Sequence, residues 1–98
     1  MRAYTTLREL VRNCGGTLIE EHMNADVGGS AQAVFLSRSE ARFRFVWDGK
    51  ENCGFLQPDG AGEKWQGQAA VVRKPAGANF SNLHEFLTVA ERLAEDAR

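Results

Sequence analysis

The stretch Ala41-Arg42-Phe43-Arg44-Phe45-Val46-Trp47 alternates large rings with charged residues at a period of two. That is the signature of a strand with one face in a core and the other in water. Phe43, Phe45 and Trp47 share the inner face, and Arg42 and Arg44 the outer one. Asp48-Gly49 follows at once, so the chain is expected to turn back, with Glu51 to Gln57 as the partner strand of a hairpin. A two-residue loop would set Arg42 opposite Phe55 and Arg44 opposite Cys53, mixing the faces. A three-residue loop of Asp48, Gly49 and Lys50 sets Phe43 opposite Phe55 and Phe45 opposite Cys53. This is the expected register, and it leaves Gly54 opposite Arg44.

The remaining segments are organised around this hairpin. Leu7, Leu10, Val11 and Cys14 stand at i, i+3, i+4 and i+7, which predicts an amphipathic helix near residues 6–14. Thr6 and Glu9 have capping-box spacing at its start, and Gly15-Gly16 supplies a stop. Thr17 to Met23 suits a short strand with either Ile19 and Met23 or Leu18 and His22 turned inward. Asn24 to Ser30 collects turn formers, and Ala31 to Ser37 resumes as a strand. After the turn-rich Pro58 to Lys64, Trp65 to Lys74 reads as a longer strand whose Gly67, Ala69 and Ala70 invite close approach by a helix. Leu83, Phe86, Leu87, Ala90, Leu93, Ala94 and Ala97 form a helical stripe. The last helix is thus expected near 82–96, capped by Ser81 or Asn82, with Glu85 completing a capping box. The expected fold is α+β: helix, four- to five-stranded antiparallel β meander, helix, with both helices on one sheet face. One compact domain spans residues 1–98, with a core of Leu7, Leu10, Val11, Phe35, Phe43, Phe45, Phe55, Leu83, Phe86, Leu87 and Leu93.

Charge and composition exclude several functions. Twelve basic residues against thirteen acidic ones leave a formal charge of -1, without the footprint of a nonspecific nucleic-acid or polybasic membrane binder. The longest apolar run, Ala69 to Val72, is far short of a membrane span, and no leader pattern precedes the first helix. A cytoplasmic location is expected. Cys14 and Cys53, the only thiols, then read as reduced small hydrophobes. With His22 and His84 they offer no pair at zinc-ligand spacing, so no metal and no cofactor is expected. Gly60-Ala61-Gly62 beside Lys64 precedes a strand rather than a helix, and so does not form a phosphate loop. Without paired carboxylates or an activated nucleophile, the chain is expected not to be an enzyme. A small enzyme whose site is assembled from distant residues is the remaining alternative of that class.

The element order resembles that of the double-stranded RNA-binding domain, whose second helix opens with a phosphate-gripping lysine cluster. Here Asn82-Leu83-His84-Glu85 stands in that place, so the resemblance stops at element order and implies no functional residue.

The candidate site is a group of arginines. Arg38, Arg42 and Arg44 gather within seven positions against the single Glu40. A solvated sheet face that uses charge to block edge association would also read this way. Read functionally, Arg38, Arg42 and Arg44 with Val46, Leu56, Trp47 at the margin and Trp65 have a composition favoured at protein interfaces. The expected function is a protein-binding module acting as inhibitor, immunity factor or adaptor. A nucleic-acid-associated regulator using the same arginines is the alternative. A homodimer through this face is a further alternative, with Glu40 and Glu51 nearest to meet Arg42 and Arg44.

Overall fold

A computed structural model describes residues 2–24, 29–60 and 65–96. In chain order it contains α1 (Arg2–Asn13), β1 (Thr17–Asn24), β2 (Ser30–Leu36), β3 (Arg42–Asp48), β4 (Cys53–Pro58), β5 (Ala70–Arg73) and α2 (Leu83–Ala94). The five strands form one antiparallel meander in sequence order. α1 lies against β2 and β3, and α2 against β4 and β5. The α+β architecture is the one the hairpin and the two amphipathic stripes imply. No helix among the described residues is long and apolar enough to cross a membrane.

The start of α1 and the capping of α2 differ from expectation. α1 begins at Arg2, so Thr6 lies inside the helix and forms no capping box with Glu9. The apolar stripe extends one turn upstream through Tyr4, which is fully buried with Leu7 and Val11, and burial of that ring draws the first turn into the helix. The stop is as expected, with Gly15 at φ 117°, a conformation that favours glycine. At α2, Asn82 sits in the left-handed region at φ 64° and makes no side-chain cap. Its Nδ2 instead donates to the Val71 carbonyl at 3.0 Å. Ser81 is drawn into backbone pairing with Arg73, so these two residues tie α2 to β5, while the Asn82 carbonyl accepts the first helical bond from Phe86 N–H at 3.0 Å.

The β3–β4 register is shifted from the expected one. Asp48 pairs with Cys53, Trp47 with Gly54, Phe45 with Leu56 and Phe43 with Pro58. The turn therefore holds four residues, 49–52. Asp48 Oδ1 accepts from the backbone N–H of Lys50 at 3.0 Å and of Glu51 at 3.3 Å, and Asn52 takes φ 50°, so side-chain bonding and a left-handed residue stabilise the longer loop. A shift of three exchanges the faces of β4. Leu56 is buried in the core and Phe55 leaves it for the outer face. Gly54 lies under the aromatic rings rather than opposite Arg44. A Cβ there would stand 2.6 Å from Phe45 Cε1 and 3.1 Å from Trp47 Cε3.

In β1 a bulge between Leu18 and Glu20 interrupts the alternation, so neither expected inward set holds. Leu18 packs inward and His22 pairs with Gln32 on the outer side, while Ile19 and Met23 are exposed. The expected strand from Trp65 to Lys74 shortens to β5, because Trp65 bridges back to Asp59. Gly67 meets no neighbour and Ala69 is exposed, so of the three small residues only Ala70 packs against the core.

The core lies between the helices and the inner face. Phe45 is its hub: its ring stacks on Tyr4 of α1 at 5.8 Å and meets Phe86 of α2 edge-on at 5.7 Å. Phe35 stacks on Phe43 at 5.4 Å across β2 and β3. Leu10, Leu83, Leu87 and Leu93 are partly buried around this cluster. Residues that a list of large hydrophobes passes over complete it: Tyr4, Ala33, Val72, Ala90 and Ala94 are all fully buried. One polar group closes the α1–β1 seam. Tyr4 donates its hydroxyl to Glu21 Oε2 at 2.5 Å, and Arg8 Nη1 donates to the same oxygen at 2.8 Å.

Candidate functional site: the outer sheet face

With both helices on the inner face, the outer face carries the side chains that alternation directs away from the core. Strand pairing sets them in rows. One row runs His22, Gln32, Val46, Phe55, Val71 across all five strands. The next runs Glu20, Val34, Arg44, Gln57. Val46, Phe55 and Val71 are half-buried neighbours on β3, β4 and β5, and together they form an apolar strip.

Arg42 and Arg44 meet under Trp65. The Arg44 guanidinium carbon stands 4.6 Å from the Trp65 ring centroid and that of Arg42 5.2 Å. The ring is brought there by backbone. Asp59 extends the ladder through its N–H to the Arg42 carbonyl at 2.9 Å, and Gln66 N–H donates to the Pro58 carbonyl at 3.0 Å. The chain thus folds back over the outer face, and Trp65 covers the guanidinium pair by cation–π contact.

The two arginines differ in their partners. Arg42 donates through Nε and Nη2 to the two carboxylate oxygens of Asp59, each at 3.3 Å, and its charge is matched. Arg44 donates through Nε to Gln57 Oε1 at 2.7 Å and through Nη1 to Gln32 Oε1 at 2.9 Å. Both acceptors are neutral amides. No carboxylate among the described residues pairs with it, and burial holds its pKa below the usual arginine range.

Beside this pair lies an open concavity of about 560 Å³, with Val46 and Phe55 in it and His22, Gln32, Trp47 and Asp48 among its other lining residues. Gln32 belongs to both features, since it lines the concavity and accepts from Arg44.

Of the candidate binding residues, Arg42, Arg44 and Trp65 come together. The other three do not join them. Trp47 is only 3% exposed and Leu56 is fully buried, the first because it shares the face of Phe43 and Phe45, the second because the register shift turns it inward. Arg38 is exposed in the β2–β3 connection, whose backbone closes the end of α2: Arg38 N–H donates to the Ala94 carbonyl at 2.9 Å and Ser39 N–H to the Asp96 carbonyl at 3.1 Å. That position sets a cation near a helix C-terminus, where the macrodipole favours it. Phe55, Val71, Gln32 and Gln57 replace the lost residues. The correct hairpin register, readable in the Asp48 turn chemistry, would have identified Phe55 and Gln57.

No group of three metal-ligating side chains occurs among the described residues. Cys14 and Cys53 are free and partly buried, and burial raises both thiol pKa values, which keeps them neutral and unreactive near neutral pH. Of the Gly60-Ala61-Gly62 segment and Lys64, all but Gly60 lie outside the described residues. Compared with protein-family models, curated proteins and solved structures, the chain matches none.

Proposed function

We propose that this chain is a non-enzymatic module that binds another protein through the outer face of its sheet, in the manner of an inhibitor, immunity factor or adaptor. The observation that carries the reading is the half-buried strip of Val46, Phe55 and Val71 beside the Arg44–Trp65 stack. An apolar centre flanked by an aromatic ring and guanidinium groups is the composition of interface hot spots, where a few well-packed residues supply most of the binding energy. The concavity beside the strip gives a partner side chain a place to be desolvated.

Charge favours a protein over a nucleic acid. Arg42 is matched by Asp59, and Glu20 and Asp48 also stand on the outer face, so a phosphate backbone would meet carboxylates as well as guanidinium groups. The test is capture of partners from a lysate of the source organism, with and without nuclease. It compares the wild-type chain with Val46→Asp and Phe55→Ala variants whose thermal unfolding matches wild type. A protein partner that survives nuclease and is lost with both variants is the expected result. Recovery of nucleic acid alone, or of a second copy of this chain alone, contradicts the reading.

A further inference from the structure

Of the two arginines under Trp65, Arg44 is the one whose charge meets no anion among the described residues. Its neutral partners, the Gln32 and Gln57 amide oxygens, occupy Nε and Nη1. The Nη2 group has no hydrogen bond among the described residues. No buried side-chain nitrogen or oxygen among the described residues lacks a partner, so Nη2 is open to solvent and to an incoming carboxylate, which a guanidinium binds more strongly than a neutral acceptor. Trp65 lies against the group, and stacking on a guanidinium plane leaves its N–H edge for other partners. We propose that Arg44 receives a carboxylate from the bound partner, the occupant being an extended protein segment with an Asp or Glu two residues from a large apolar side chain. This rests on the protein-binding reading above and names the partner's chemistry.

Spacing and charge support the assignment. Arg44 and Val46 are i and i+2 on one face of β3, about 7 Å apart along the strand. An extended segment running beside them has the same two-residue period, so its acid can reach Arg44 while its apolar residue covers Val46 and Phe55. A single anionic charge fits. Asp59 already holds Arg42, and Glu20 and Asp48 border the face, which disfavours a dianionic phosphate relative to one carboxylate.

The test uses the full ¹⁵N-labelled chain and two capped peptides, Ac-Asp-Gly-Phe-NH₂ and its Asn analogue, followed by NMR. Saturable shifts are expected at the Arg44 Nε–H and at Val46 and Phe55, with the Asn peptide bound about tenfold more weakly. Arg44→Gln should remove the preference for the acid. Arg44→Lys, which keeps the charge without the fork, should retain part of it. Equal binding of the two peptides, no binding of either, shifts confined to the helix face, or a preference that persists in Arg44→Gln would overturn the assignment. Partner capture separates the two claims. A partner lost with Val46→Asp but kept with Arg44→Gln leaves protein binding standing and removes Arg44, whereas a partner kept with both variants removes the binding face itself.

Discussion

At the scale of single residues, the load on Phe45 and the setting of Glu21 define two measurable properties. Phe45 joins both helices to the sheet through Tyr4 and Phe86 and is fully buried. Phe45→Ala should cost about 3–5 kcal/mol by opening a cavity between three elements, measured by urea unfolding; a loss under about 1 kcal/mol would contradict its place as hub. The Tyr4 hydroxyl and the Arg8 guanidinium hold the Glu21 carboxyl below its usual range, and burial with the Glu21 bond raises the Tyr4 pKa. A depressed carboxyl contributes stability above its unfolded pKa of about 4.3, and that contribution is lost as pH falls through the lower folded value. Between about pH 6 and about pH 2, wild type should therefore lose more stability than Glu21→Gln. Equal losses would mean that this carboxylate carries no net stabilisation. Alternation alone placed Phe43, Phe45 and Trp47 inward. It could not place Glu21, because the bulge at Ile19 breaks the period and the bond partners come from another element.

At the scale of elements, existence and type were readable, while edges and register depended on hydrogen bonds that hydrophobic pattern does not encode. The two-period of β3 and the helical stripes predict their elements directly. The start of α1 moved because Tyr4 supplied one more turn of buried surface, whereas α2 starts where expected, after Asn82, with the Asn82 side chain bonded to Val71 instead of capping the helix. The hairpin was the consequential case. Matching apolar faces across the hairpin gave a three-residue loop, but Asp48 organises a four-residue turn, and the odd shift moved Leu56 into the core and Phe55 out of it. Gly54→Ala discriminates between the two registers. Under the expected one its methyl would lie opposite Arg44 on the outer face. In the observed one it collides with the Phe45 and Trp47 rings, so the substitution should cost about 1–3 kcal/mol by overpacking. A neutral result in thermal unfolding would contradict the observed pairing.

At the scale of the whole molecule, the meander and its two helices were legible because the short connections joining β1 to β4 leave few alternatives to sequential antiparallel pairing. The candidate site was legible in part. Trp65 lies more than twenty positions beyond Arg42 and Arg44 in sequence and meets them only because the Asp59–Trp65 bridge brings the chain back to the sheet. That bridge has no signature in composition. Trp47 and Leu56 were drawn into the expected surface by hydrophobicity, which marks core and interface residues alike. The central claim is that partners engage the outer face and not the helices. A photoreactive benzoylphenylalanine placed at Val46, and separately at the exposed Glu91 of α2, tests it in cells of the source organism. Irradiation should give a covalent adduct with a single protein from position 46 and none from position 91. Protein adducts from position 91 alone, or nucleic-acid adducts from position 46, would contradict it.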